Sequence, residues 1–176
     1  KASLKLDFPV VSGNESLYNE TDGQAILPTP VIGGVGVLEN DNDHMTIELK
    51  DTGEHVILIG TTLGWLGQSL YLREIFGQEV GQPPPVNLDE EKLNGDFVRK
   101  LIQKKQITAC HDVSDGGLLV AIAEMAFSAF AKGNKLGIEI MEECHNEPCA
   151  FYFGEEQARY IVTTTSPTQI LDMSLK

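Results

Sequence analysis

Basic residues are scarce in this chain: 13 Lys and Arg stand against 26 Asp and Glu, a formal net charge of −13 across 176 residues. Such a surface has no basic stripe to neutralise phosphates. That excludes nucleic acid as a partner and gives no electrostatic hold on an anionic membrane. A nucleotide stays allowed, because a few backbone N–H groups and a metal ion can hold phosphates locally. Cysteine is scarce as well. Cys110, Cys144 and Cys149 are odd in number and sparsely spaced, which argues against a disulfide-stapled secreted domain and for a reducing, cytoplasmic setting. The same argument discounts two glycosylation sequons, Asn14-Glu15-Ser16 and Asn19-Glu20-Thr21. Long apolar runs are missing too, and none approaches the ~18 residues of a membrane span. No glycine-rich loop ends in Lys-Ser/Thr, so a Walker A motif is excluded.

What is present suffices for a core: 41% of the residues are hydrophobic, and the length fits one domain, or one domain plus a remnant of another. Phe8 to Asn14 reads as a short buried strand entering a Gly/Asn loop, and Val31 to Leu38 as another strand. A polar run, Asn40-Asp41-Asn42-Asp43, marks a domain boundary. Met45 to Leu49 alternates as a half-buried strand should, and His55 to Ile59 is a further strand stopped by Gly60. Helices are expected from Gln68 to Phe76 and from Leu88 to Lys105, the second with acids at its start and bases at its end. Ile107 to Cys110 is a short strand. The helix that follows, Leu118 to Ala131, holds a single charge, Glu124, and is expected to be buried nearly all round, between a sheet and another layer. Leu136 to Ile140, Phe151 to Phe153 and Arg159 to Thr165 read as strands, and Pro167 to Leu175 as a helix. Strands alternating with helices make the chain α/β or α+β.

Two segments could carry chemistry. In Ser12-Gly13-Asn14-Glu15-Ser16 the glycine lets backbone approach a phosphate, and the Asn14 amide oxygen is a hard ligand suited to Mg²⁺; a tight turn with a left-handed Asn explains the same residues. In His111-Asp112-Val113-Ser114-Asp115-Gly116-Gly117 the two carboxylates could hold a cation, or Ser114 and Asp115 could cap the following helix. His111 reads as an oriented structural histidine. Gly60 to Gly67 reads as closely packed loop. Cys144, His145 and Cys149 have no second ligand pair, which argues against zinc. Glu155-Glu156-Gln157 fits a polar ligand site or a solvated helix start. No cysteine sits beside a base as an activated nucleophile would.

Four blocks in order carry a resemblance. They are Pro9 to Thr21, Thr29 to Gly36, Cys110 to Leu118, and Phe153-Gly154-Glu155-Glu156-Gln157-Ala158-Arg159. Together they resemble the second half of the formylglycinamidine ribonucleotide (FGAM) synthases, ATP-dependent amidine-forming ligases of purine biosynthesis. That resemblance implies an α+β sandwich of the aminoimidazole ribonucleotide synthetase-like superfamily. It divides the chain into residues 1–46, the end of the second nucleotide-binding-like N-type domain, and residues 47–176, the second C-type domain without its final elements. It implies that Gly13 contacts ATP, that Asn14 binds Mg²⁺, that Ser16 touches the formylglycinamide ribonucleotide, and, by the pseudo-symmetry of the halves, that Asp112 is a further metal ligand. No catalytic residue falls in these 176 positions, since the family's catalytic histidine lies in the other half. The implied partners are a glutaminase subunit and a small accessory subunit. The rival readings are another member of the superfamily, such as selenophosphate synthetase, and a non-catalytic assembly module.

Overall fold

The computed structural model describes residues 1–14, 19–141 and 147–175. In order, the elements are helix α1 (Ala2–Lys5), a two-residue hairpin of β1 (Glu20–Thr21) and β2 (Gln24–Ala25), strand β3 (His55–Ile59), helices α2 (Leu70–Phe76) and α3 (Leu88–Gln103), strand β4 (Ala109–Asp112), helices α4 (Gly117–Ala131) and α5 (Pro148–Phe153), strand β5 (Tyr160–Thr164) and helix α6 (Pro167–Ser174). The three longer strands form one antiparallel sheet in the order β3-β5-β4. The β-branched run at Ile161 to Thr164 therefore occupies its centre, where both neighbours satisfy its backbone.

Because side chains alternate along β5, its two faces feed two cores. Ile161 packs with Ala109, Val113, Leu118, Ala121 and Met125, joining the sheet to α4. Val162 packs on the other face with Leu101, Ile107 and Ile170, joining it to α3 and α6. Helices on both faces of an antiparallel sheet make an α+β sandwich.

Helices α2 and α3 start where their caps dictate. Ser69 Oγ accepts from Leu72 N at 3.3 Å to open α2, and Gly77, at φ 64°, closes it in the left-handed conformation. Asn87 Oδ1 accepts from the N–H groups of Asp89 and Glu90 to open α3, whose first turn carries Asp89, Glu90 and Glu91.

Several expectations change. Phe151 to Phe153 is the end of α5, not a strand: Pro148 sits in the first turn, where its fixed φ suits a helix, and Phe151 N donates to Glu147 O. Phe8 to Asn14, Val31 to Leu38, Met45 to Leu49 and Leu136 to Ile140 form no ladder. Apolar alternation marks a segment able to pair, but pairing needs a neighbour, and Val31 (91% exposed) and Val35 (97%) have none. Among the described residues before Met45, none is buried. The strand expected at Ile107 to Cys110 runs two residues further, so His111 and Asp112 belong to β4 rather than to a loop. Helix α4 is covered on one side only: Met125 and Ala129 are fully buried, but Phe127 and Phe130 are 71% and 62% exposed.

Candidate functional site

The end of β4 delivers the sequence block Cys110 to Gly117 to one edge of a cleft. Asp112 is the last residue of the strand and pairs with Tyr160 across the ladder. Val113 N then donates to Arg159 O at 2.9 Å, and the chain turns into α4 through Gly116, at φ 79°. A cleft of about 220 Å³ lies here, with Asp112, Ser114 and Asp115 on one side and Glu155, Glu156 and Arg159 on the other. The blocks around His111 and around Glu155, distant in sequence, therefore face each other.

Asp112 is held as an anion. Burial pushes its pKa up, but the Ser114 hydroxyl, its own N–H and the His111 ring outweigh that, and the net shift is downward. Ser114 Oγ donates to Asp112 Oδ2 at 3.0 Å. His111 lies between two carboxylates, with Nδ1 3.2 Å from Asp112 Oδ1 and Nε2 2.9 Å from Glu124 Oε2. Burial first, and the Asp112 charge second, push the Cys110 thiol up to about 11, so it stays protonated and unreactive at neutral pH. Burial and the charges of Glu91, Asp112 and Cys110 push the Tyr160 phenol up to about 12.

The cap of α4 differs from expectation. Neither Ser114 nor Asp115 caps it, because Gly116 holds the N-cap position and Ser114 has turned to Asp112. The acceptor comes from 39 residues away: Glu155 Oε1 takes the Gly116 N–H at 2.8 Å. Glu155-Glu156-Gln157 likewise opens no helix. Glu156 is 4% exposed, and its Oε1 accepts from Leu63 N at 2.9 Å and Trp65 N at 2.6 Å. Arg159, 1% exposed, brings Nη2 within 2.8 Å of Glu156 Oε2. That approach is not aligned as a hydrogen bond, so the pair is held by charge; the guanidinium donates instead to Gly154 O at 2.5 Å, and to Glu156 O and Thr62 Oγ1 at 3.4 Å each. Burial lowers the Arg159 pKa and the Glu156 charge opposes that shift.

These acids were hidden in sequence by their polarity. The signal that could have found them is Arg159, which directly precedes the most β-branched run of the chain. An arginine at the root of a central strand is buried, and a buried arginine requires an acid nearby.

Gly60 and Gly67 confirm close loop packing. A Cβ on Gly67 would sit 2.3 Å from Gln82 O, and one on Gly60 would sit 2.5 Å from Ala158 O. Gly13 and Asn14 lie in the exposed first stretch, and nothing approaches within 4 Å of where a Gly13 Cβ would stand. Ser16 lies outside the described residues, as do Cys144 and His145. Among the described residues, no group of three or more His, Cys, Asp or Glu side chains is placed to hold a metal ion, and no helix is long and apolar enough to cross a membrane. A second, larger cleft of about 1030 Å³ opens between β3, α4 and the segment Lys135 to Met141.

An antiparallel sheet between helix layers, with an acidic loop delivered by its edge strand, defines the class. Residues 51–173 match the family described as AIR synthase related protein, C-terminal domain, and the chain belongs to that family. Phosphoribosylformylglycinamidine synthase subunit PurL of Rhodospirillum rubrum is 57% identical to it over 167 residues, 93% of this chain and 22% of that protein. The subunit of the same name from Nitrobacter hamburgensis is 56% identical over 162 residues, 92% of this chain and 21% of that protein. The chain thus spans about a fifth of the length of these curated relatives. Two solved structures of T. maritima PurL share the fold. The one complexed with ATP has a TM-score of 0.53 at 20% identity, covering 77% of this chain and 21% of that one. The one complexed with FGAR has a TM-score of 0.55 at 18% identity, covering 77% and 24%.

Proposed function

We propose that this chain is part of an FGAM synthase, a ligase that uses ATP and glutamine-derived ammonia to turn formylglycinamide ribonucleotide into formylglycinamidine ribonucleotide. The observation that carries this is the 57% identity to the Rhodospirillum rubrum subunit along nearly the whole chain. Selenophosphate synthetase is set aside on the same ground. In the reaction, ATP phosphorylates an amide oxygen of the ribonucleotide, which turns a poor leaving group into phosphate, and ammonia displaces it. Such chemistry depends on holding phosphates and nucleophile in line.

In this reading Gly13 lies against nucleotide, Asn14 offers its amide oxygen to Mg²⁺, Ser16 meets the ribonucleotide, and Asp112 is a further metal ligand. The donors fit a hard cation in kind, being an amide oxygen and a carboxylate. The described residues do not gather three such groups at one point. Residues 1–46 belong to the second N-type domain and residues 47–176 to the second C-type domain. ATP-grade turnover belongs to the complete cytoplasmic protein with its glutaminase and small accessory subunits, and residues 1–176 alone are inactive. The exposed apolar side chains of the first stretch, among them Val10, Val11, Val31 and Ile32, favour a surface that the remainder of the protein covers.

The test is the complete protein with ATP, Mg²⁺, formylglycinamide ribonucleotide and ammonia. Amidine should form, residues 1–176 alone should form none, and Asn14→Ala should weaken nucleotide binding by about 1–3 kcal/mol in calorimetry. Product from the isolated chain, or unchanged affinity in the variant, would contradict the corresponding assignment.

A further inference from the structure

Two peptide N–H groups that open different helices converge on one oxygen. Glu155 Oε1 accepts from Leu70 N at 2.7 Å and from Gly116 N at 2.8 Å. Leu70 is the first residue of α2, and Gly116 is the N-cap of α4. The α4 terminus cannot supply its own cap. Gly116 has no side chain, and a Cβ there would come within 2.5 Å of Val120 Cγ2; one on Gly117 would come within 2.7 Å of Gly154 O. A glycine pair is therefore required by space, and the exposed amides must find an acceptor elsewhere. A carboxylate suits both helix starts, because each carries partial positive charge.

The same block grips its neighbours at further points. Glu155 N donates to Trp65 O at 3.2 Å, and Val113 N donates to Arg159 O at 2.9 Å. The turn carrying Ser114 and Asp115 is thus fixed at Val113 on one side and at Gly116 on the other, both times by residues 155–159. The other end of the Glu155 contact reaches the start of α2, directly after the loop Gly60 to Ser69. The larger consequence is geometric. Asp112, Ser114 and Asp115 line the cleft but make no bond to Glu155 themselves, so their place depends on a carboxylate behind them.

We propose that Glu155 is a positioning residue that locks the turn 112–116 to the start of α2, so that Asp112, Ser114 and Asp115 are held as one rigid edge of the cleft. This rests on the functional reading above, in which Asp112 is a metal ligand. Glu155→Ala removes the shared acceptor, whereas Glu155→Gln keeps an amide oxygen in its place and loses only the charge.

The experiment uses the complete protein and reads hydrogen exchange by segment together with steady-state kinetics. In Glu155→Ala, exchange across 63–72 and across 113–118 should accelerate together by about tenfold or more, as loss of a shared hydrogen bond implies, while β5 stays protected. KM for ATP or for formylglycinamide ribonucleotide should rise several-fold with little change in kcat, and Glu155→Gln should restore most of both. Loosening of only one segment, or of β5 to the same degree, overturns the lock; unchanged KM despite loosened segments overturns the positioning role. If the unmodified complete protein forms no amidine, the functional reading fails on its own, and the exchange pattern alone then decides whether Glu155 couples the two segments.

Discussion

Removing the Glu156 carboxylate leaves the Arg159 guanidinium, 1% exposed, without its counter-charge. Glu156→Ala should therefore cost about 3–5 kcal/mol, read as a fall in the urea midpoint at unchanged slope. A loss below about 0.5 kcal/mol, the usual size for a surface change, would mean that the pair is not buried as described. Asp112 makes a prediction with a sign. Its folded pKa is lowered by Ser114, its own N–H and His111 against an opposing burial effect. Its contribution to stability is therefore fully present above the unfolded carboxylate value of about 3.9 and is lost as pH falls from there through the folded pKa. The stability gap between the unmodified protein and Asp112→Asn should close as pH falls below about 4. A gap that stays open or widens below about 4 would contradict the hydrogen-bond assignment. Residues near Asp112 could be picked out in sequence because glycines and acids in a short turn announce a special backbone. Glu155 and Glu156 could not be placed the same way, since their acceptor roles depend on amides 39 to 93 residues away.

Helix α4 shows how far periodicity reaches. Its limits, Gly117–Ala131, agree with the expectation of Leu118 to Ala131 to within one residue, since a long apolar run after a glycine pair is a local signal. Its burial depends on which layers the rest of the chain supplies, and here only one side is covered. Met125 is fully buried while Ile122 is half-buried beside the larger cleft. Met125→Ala should cost about 2–5 kcal/mol and Ile122→Ala distinctly less, measured by denaturant unfolding. Equal losses would place α4 between two layers after all. Strands were readable only where partners exist: β3 and β5 lie where β-branched runs put them, whereas Leu136 to Ile140 keeps its alternation without a ladder. The opposite miss is the hairpin β1–β2. Its turn, Asp22-Gly23, has φ 52° and 77°, and Asp-Gly at a tight turn is a local hairpin signal in the sequence.

At the scale of the molecule, the core begins at Met45 and Leu49, and the residues before it expose apolar side chains such as Val31 and Val35. The order of elements narrowed the fold to α/β or α+β and the resemblance implied the α+β sandwich, which the structure has because each core face of β5 is covered by a helix layer. The roles of Gly13 toward ATP, Asn14 toward Mg²⁺ and Ser16 toward the ribonucleotide rest on the resemblance, since in sequence Gly13 and Asn14 fit a tight turn as well as a ligand site. In the reaction proposed for the complete protein, ATP activates an amide oxygen that then leaves as phosphate. Formylglycinamide ribonucleotide labelled with ¹⁸O in the amide that becomes the amidine, supplied with ATP, Mg²⁺ and ammonia, tests this directly. The account predicts one ¹⁸O in each inorganic phosphate released, in step with amidine formed; unlabelled phosphate, or ATP cleavage without amidine, would contradict it.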